Sequence, residues 1–181
     1  VGSEMCIRDR SYGVVNTPDY RTKNPNGLVP LLEDGDFTLW ESNVIVRYLC
    51  AREDSPLYPQ YLQRRADAER WMDWQQTTLN PAGSPGFKQL IRTPEAQRDP
   101  AVIAASVAAT EPLFAQLDDH LARHPFMAGD ALTMADIPIA CEVHRWWGLP
   151  QPRPAWPHLE RWYAQWLAPP ASRGVLDLPL S

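Results

Sequence analysis

Lysine is scarce in this chain: Lys23 and Lys88 are the only two, and the remaining basic residues are arginines. Basic residues number 17 against 22 acidic ones, for a net charge of -5. That balance argues against a general nucleic-acid surface, which would be basic. Cysteine is nearly as sparse. Cys6, Cys50 and Cys141 lie far apart with no C-x-x-C, which fits a reducing compartment, the cytoplasm, and no disulfide framework. No apolar run approaches the ~20 residues of a membrane helix, and no secretory signal opens the chain. His120, His124, His144 and His158 lack metal-ligand spacing; His120 and His124 are i, i+4, but no cysteine or carboxylate motif accompanies them. They read as solvent-facing helix positions, and no metal is expected. Ser11, Ser42 and Ser55 sit in no G-x-S-x-G turn, so a hydrolase triad has no support. Internal repeats and low-complexity segments are also missing.

What is present is a chain of 181 residues, enough for one or two domains with a real core. Its 19 prolines are spread along it rather than run together, so they mark turns and helix starts. The densest information lies between Asn24 and Ser42. Asn24-Pro25 and Asn26-Gly27 are turn dipeptides. Leu28 to Leu32 is an apolar run interrupted by Pro30, which calls for a bulge, an edge position or a cis bond. A cis turn would aim the N–H and C=O of Val29 outward, where an extended peptide could pair with them as an added strand. Asp34-Gly35 predicts a second turn, and Ser42 opens a helix from Asn43 to Ala51. Free N–H groups at that helix start attract a carboxylate, and Glu41 beside it can pair with an ammonium. Together the two would hold an amino-acid head.

A ligand with such a head and an extended middle is glutathione. The segment resembles the glutathione-binding half of the thioredoxin-like domain in the glutathione transferase family, through Val29-Pro30 for the peptide-pairing turn and Glu41-Ser42 for the γ-glutamyl clamp. A second match is Leu132-Thr133-Met134-Ala135-Asp136-Ile137. It reads as a capping box in which Thr133 caps the Asp136 N–H and the Asp136 carboxylate reaches back to the Thr133 N–H. Leu132 and Ile137 form a hydrophobic staple around it. A third is Pro154 to Trp162, which resembles the helix start that follows that core helix. The resemblance covers residues 11–181.

The fold class expected is α/β plus all-α: a partial thioredoxin-like N-terminal domain followed by an all-helical C-terminal domain. Residues 1–10 match nothing in the family and read as a foreign or unstructured tail. Residues 11–55 form the incomplete thioredoxin-like domain, 56–60 a linker, and 61–181 the helical domain. A short helix is predicted near Thr17-Pro18. A long one starts at Tyr61 and ends near Asn80-Pro81. Residues 81–98 read as irregular, with a helical arm over Phe87 to Ile91. A second long helix runs from Pro100 to Arg123 with Val107, Leu113, Phe114, Leu117 and Leu121 on one stripe, and Phe126 to Gly129 is a turn.

The resemblance implies conjugation of the glutathione thiolate to a small electrophile, with glutathione as co-substrate and no further cofactor, in a cytoplasmic homodimer that binds neither nucleic acid nor membrane. It places a catalytic Ser, Tyr or Cys at the start of the first helix. Only 29 residues precede Pro30, so the first strand–helix–strand unit and that catalytic residue are expected to be absent and the activity impaired. Cys6 stands 24 residues before Pro30, too few to hold the missing elements, and reads as a tail residue; Tyr12 stands next in line. Cys50 and Cys141 read as buried small apolar residues. Trp71, Trp74 and Gln75 lie on the helix that in the family lines the co-substrate pocket and meets the partner subunit, although tryptophans at i, i+3 are more often plain core. The alternative function is a non-enzymatic binding or dimerisation module on the same fold.

Overall fold

A computed structural model describes residues 13–167, 174, 176 and 178–180. The chain divides into two compact units, with the boundary between Tyr58 and Pro59.

The first unit opens with a 3-10 turn, Val14–Asn16, and helix α1, Pro18–Lys23. Pro18 pre-sets the first helical φ, and the Thr17 hydroxyl accepts from the Tyr20 N–H at 3.3 Å, satisfying one of the N–H groups a helix start leaves over. Strands β1 (Leu31–Asp34) and β2 (Phe37–Trp40) form an antiparallel hairpin in which Leu31 faces Trp40 and Asp34 faces Phe37. The two-residue loop needs a positive φ at its first position, which Gly35 supplies at 61°. The strand begins later than the apolar run suggested: Leu28 and Val29 are exposed, and the ladder starts after Pro30, which has no N–H to donate. Helix α2, Ser42–Arg52, follows β2 directly. It is tied to the closed end of the hairpin by Asp34, whose Oδ2 accepts from the Tyr48 hydroxyl at 2.5 Å and from Arg52 at 2.6 Å.

The second unit is helical. Helix α3, Leu62–Trp74, does not stop at Asn80-Pro81 as expected. It continues through a π turn, Gln75–Leu79, into α4, Asn80–Phe87, and a second π turn, Lys88–Arg92. A proline clashes with the carbonyl four residues back in an ordinary helix. For Pro81 that carbonyl belongs to Thr77, inside the wider π turn, where the Asn80 N–H bonds to Gln75 instead. Residues 81–92 are therefore helical rather than irregular.

Helix α5, Pro100–Leu121, is capped by Asp99, whose Oδ1 accepts from Ala101 N at 2.8 Å. Among the described residues α5 has the length and apolar content of a membrane-crossing segment, contrary to the expectation that no run approaches it. It buries Ser106, Thr110, Phe114, Leu117 and Leu121 along one face and packs on α4 and on α7 (Pro157–Leu167), as a core helix does. Helix α6, Asp136–Trp147, completes the unit. Trp162, Phe114, Met72, Leu117, Ile139 and Leu159 are fully buried at its centre. A stack of rings, Trp146 on Phe114 at 5.6 Å and Phe114 on Trp156 at 5.3 Å, joins α6 to α5. Cys50 is buried, but Cys141 is exposed: Ile139, Glu142, Val143 and Trp146 occupy the inner face of α6, and the helical period turns position 141 away.

Candidate functional site

The hairpin register brings the two halves of the expected site to one place. Leu31 pairs with Trp40, so Pro30, which precedes the first, and Glu41, which follows the second, share the open end of the hairpin. The Val29–Pro30 bond there is cis, and Val29 is 50% exposed.

The turn is held from behind by Tyr20 and Asn24. The Leu28 carbonyl accepts from the Tyr20 hydroxyl at 2.7 Å and from Asn24 Nδ2 at 2.6 Å. Asn24 is 2% exposed, and its Oδ1 accepts from Asn26 N at 3.1 Å, an Asx turn that fixes the loop. Gly27 holds φ at 61°, and a Cβ there would sit 2.9 Å from Arg21 Nη2 and 3.1 Å from the Val15 carbonyl, so no other residue fits without a shift. The turn dipeptides in the sequence mark this loop; the hydrogen bonds from Tyr20 in α1 and from its C-cap Asn24 depend on the loop folding back on that helix.

Glu41 stands at the N-cap of α2 with φ 75° and ψ 111°. A non-glycine residue in that region carries strain, which the surrounding structure must sustain. Its side chain makes no capping bond, although its carbonyl accepts from Ile45 N at 2.9 Å. The helix start therefore lacks a side-chain cap, and the exposed Ser42 hydroxyl lies in its first turn, where the dipole favours an anion. Helix α2 begins at Ser42 itself, one residue earlier than the sequence suggested.

The residues expected for the co-substrate pocket or dimer face lie in the second unit, and they separate. Trp71 is buried and Trp74 half-buried on a groove of ≈ 680 Å³ that Pro112, Gln116, His120 and Arg123 also line. Gln75 turns inward instead, buried, and its Nε2 donates to Glu142 Oε1 at 2.9 Å. His120 is half-buried rather than solvent-facing. Its ring lies 4.7 Å from that of Trp71, its Nε2 is 3.0 Å from the Met127 carbonyl, and burial pushes its pKa down. Among the described residues no group of His, Cys, Asp and Glu is arranged to hold a metal. Cys6, Ser11 and Tyr12 lie outside the described residues.

At the head of α6, the Asp136 carboxylate accepts from Thr133 N at 3.0 Å and from the Thr133 hydroxyl at 3.2 Å. The Thr133 hydroxyl accepts from Ala135 N at 3.3 Å rather than from Asp136 N, which bonds to the Thr133 carbonyl. The cap is thus a tighter turn than the box drawn from the sequence.

Comparison with known proteins shows the family. The family model for the glutathione S-transferase N-terminal domain matches residues 8–51, and that for the C-terminal domain matches residues 100–165. Glutathione S-transferase GstB of Escherichia coli (strain K12) is 41% identical, over 98% of this chain and 87% of that protein. The crystal structure of the theta class glutathione S-transferase from Xanthomonas axonopodis pv. citri with glutathione bound superposes with a TM-score of 0.91 at 42% identity, covering 96% of this chain and 84% of that one. Elongation factor 1-gamma 1 of Oryza sativa subsp. japonica is 31% identical over 83% of this chain, a match that takes in 37% of its own length.

Proposed function

The chain belongs to the glutathione S-transferase family, and on that premise we propose that the open end of the β1–β2 hairpin binds glutathione for conjugation of its thiolate to a small electrophile. The register that sets the Val29–Pro30 turn beside the Glu41–Ser42 corner carries this reading. The backbone of Val29 pairs with the peptide middle of glutathione. The first turn of α2 and the Ser42 hydroxyl receive the γ-glutamyl carboxylate, and Glu41 receives the ammonium. The family's chemistry is attack of the bound thiolate on an electrophilic carbon, and the described residues contribute the positioning of the thiol's carrier.

A homodimer accords with the groove along α3 and α5. It carries Arg70 and Arg123 beside Asp119, charges of both signs on an aromatic floor, which suits a self-complementary two-fold contact. Widely spaced cysteines support a cytoplasmic protein.

Calorimetric titration with an S-alkyl glutathione, which cannot react, tests the site. Ser42→Ala removes a hydrogen bond to a charged carboxylate, about 1.5–3 kcal/mol or roughly 10- to 150-fold in affinity. Equal affinity for the two proteins would overturn the clamp. A second reading, a binding module without turnover, is favoured by the similarity to an elongation factor, in which the matched region is a minor part of a longer protein. Turnover of glutathione with a reactive aryl halide above the uncatalysed rate supports the transferase and overturns the module; saturable binding without turnover is the outcome expected of the module and of a transferase whose activity is impaired.

A further inference from the structure

On the premise of the glutathione site proposed above, we infer that Tyr20 and Asn24 are positioning residues for the tripeptide: by holding the Leu28 carbonyl they aim the Val29 N–H at the cysteinyl carbonyl of glutathione. The Leu28 oxygen accepts from the Tyr20 hydroxyl at 2.7 Å and from Asn24 Nδ2 at 2.6 Å, which takes up both of its lone pairs. The Leu28–Val29 peptide is trans, so it is planar and its C=O and N–H point in opposite directions. Drawing the carbonyl toward Tyr20 and Asn24 therefore turns the Val29 N–H away from α1. One donor would leave the peptide plane free to tilt about that bond. Two donors restrain the tilt, because each favours a lone-pair direction in the carbonyl plane.

A single donor would satisfy this carbonyl. Two side chains are committed to it instead, and both are themselves fixed. Tyr20 is 8% exposed, and Asn24, the C-cap of α1, is buried. Asn24 N donates to the Tyr20 carbonyl at 2.9 Å, the Asn24 carbonyl accepts from Gly27 N at 3.0 Å, and Oδ1 accepts from Asn26 N at 3.1 Å. The last bond also orients the amide: with Oδ1 on an N–H donor, Nδ2 is the end that meets Leu28. Val29 itself lies outside the β1–β2 ladder, which starts at Leu31 and Trp40, so its N–H is not used by the sheet. An N–H outside the ladder, held in one direction, is preorganised for pairing with an extended peptide.

In an added strand a residue exchanges its N–H and C=O with the residue opposite. Between the γ-glutamyl head and the terminal glycine of glutathione that residue is the cysteinyl, which also carries the thiol. Fixing the Val29 N–H thus fixes the backbone from which the reacting sulfur projects, and Tyr20 and Asn24 act on the sulfur through it.

Two ligands separate this role from simple support of the loop. S-hexylglutathione carries the cysteinyl carbonyl; γ-glutamyl-hexylamide keeps the head and its amide but lacks that acceptor. In calorimetric titrations of the full chain, Tyr20→Phe, which removes only the hydroxyl, is expected to weaken S-hexylglutathione by roughly 3- to 10-fold and to leave γ-glutamyl-hexylamide unchanged. Equal loss for both ligands, or no loss for either, would overturn the positioning role. Proton–nitrogen NMR spectra of the unmodified chain give a reading that needs no variant to fold: S-hexylglutathione should move the Val29 amide proton downfield and γ-glutamyl-hexylamide should not. A Val29 amide that stays in place while Ser42 shifts would overturn the role of Tyr20 and Asn24 and keep the clamp. No binding of either ligand to the unmodified chain would overturn the glutathione site itself, and the positioning with it.

Discussion

Asp136 concentrates more of this fold than any other side chain. It is fully buried, and its two oxygens accept from Met127 N at 2.9 Å, Trp162 Nε1 at 3.0 Å, Thr133 N at 3.0 Å and the Thr133 hydroxyl at 3.2 Å. One carboxylate thus ties the Phe126–Gly129 turn, the head of α6 and the middle of α7. Burial raises its pKa, opposed by those hydrogen bonds. Asp136→Asn keeps the volume but turns an NH₂ toward N–H donors, leaving at least one unsatisfied, which costs about 1–3 kcal/mol. A denaturant midpoint unchanged in Asp136→Asn would contradict the hub. From the sequence only the local half was readable, Thr133 and Asp136 three residues apart. Met127 and Trp162 come from segments that carry no local sign of facing Asp136.

Helices α5 and α7 exchange caps. Asp118 Oδ1 on α5 accepts from both His158 N and Leu159 N at 2.8 Å, satisfying two donors at the start of α7. In return Arg161 Nη2 donates to the Leu121 carbonyl at 2.5 Å, at the end of α5. An N-cap from a residue 40 positions away in sequence escapes any motif search, which looks for Ser, Thr, Asp or Asn directly before the helix. Asp118→Ala is expected to lower stability by roughly 0.5–2 kcal/mol, and Asp118→Asn, which retains the acceptor, to recover most of it. Urea melts of the two variants check this; equal loss in both would mean that charge rather than the cap matters. By contrast, the starts of α1 and α5 carry their caps in sequence, Thr17-Pro18 and Asp99-Pro100, and both helices begin where those pairs place them.

Across the whole chain the two units are expected to answer acid in opposite ways. In the first unit, hydrogen bonds from Tyr48 and then Arg52 hold the Asp34 pKa below its ordinary 3.8. Its unfolded form binds more protons in the window between the two values, so stability rises with pH there and is lost as pH falls through the folded value. In the second unit, burial raises both Asp136 and Glu142 above their ordinary 3.8 and 4.5. The folded form then binds more protons, so stability falls as pH rises through their windows, and mild acid relieves the burial penalty. Amide exchange corrected for intrinsic rates, compared at about pH 3 and about pH 6, should show protection lost over residues 31–52 before 100–147. Asp34→Asn should abolish that order. Loss in the helical unit first would contradict the assignment.

By itself the sequence determined the features whose physics is local. Asparagine and glycine turns, proline at helix starts, the Thr133–Asp136 pair and the apolar stripe of α5 act over a few residues, so they name their own structure. The family resemblance rested on such segments, and the two-part fold with it. Tertiary structure decided what depends on partners far apart in sequence. The π turn before Pro81 forms within a helix that continues where the proline signal said stop. Gln75 faces Glu142 because α6 lies alongside, which removes it from the groove that Trp71 and Trp74 line. The Val29–Pro30 turn meets the Glu41–Ser42 corner only through the ladder of β1 with β2, since strand register is set by pairing and not by either strand alone.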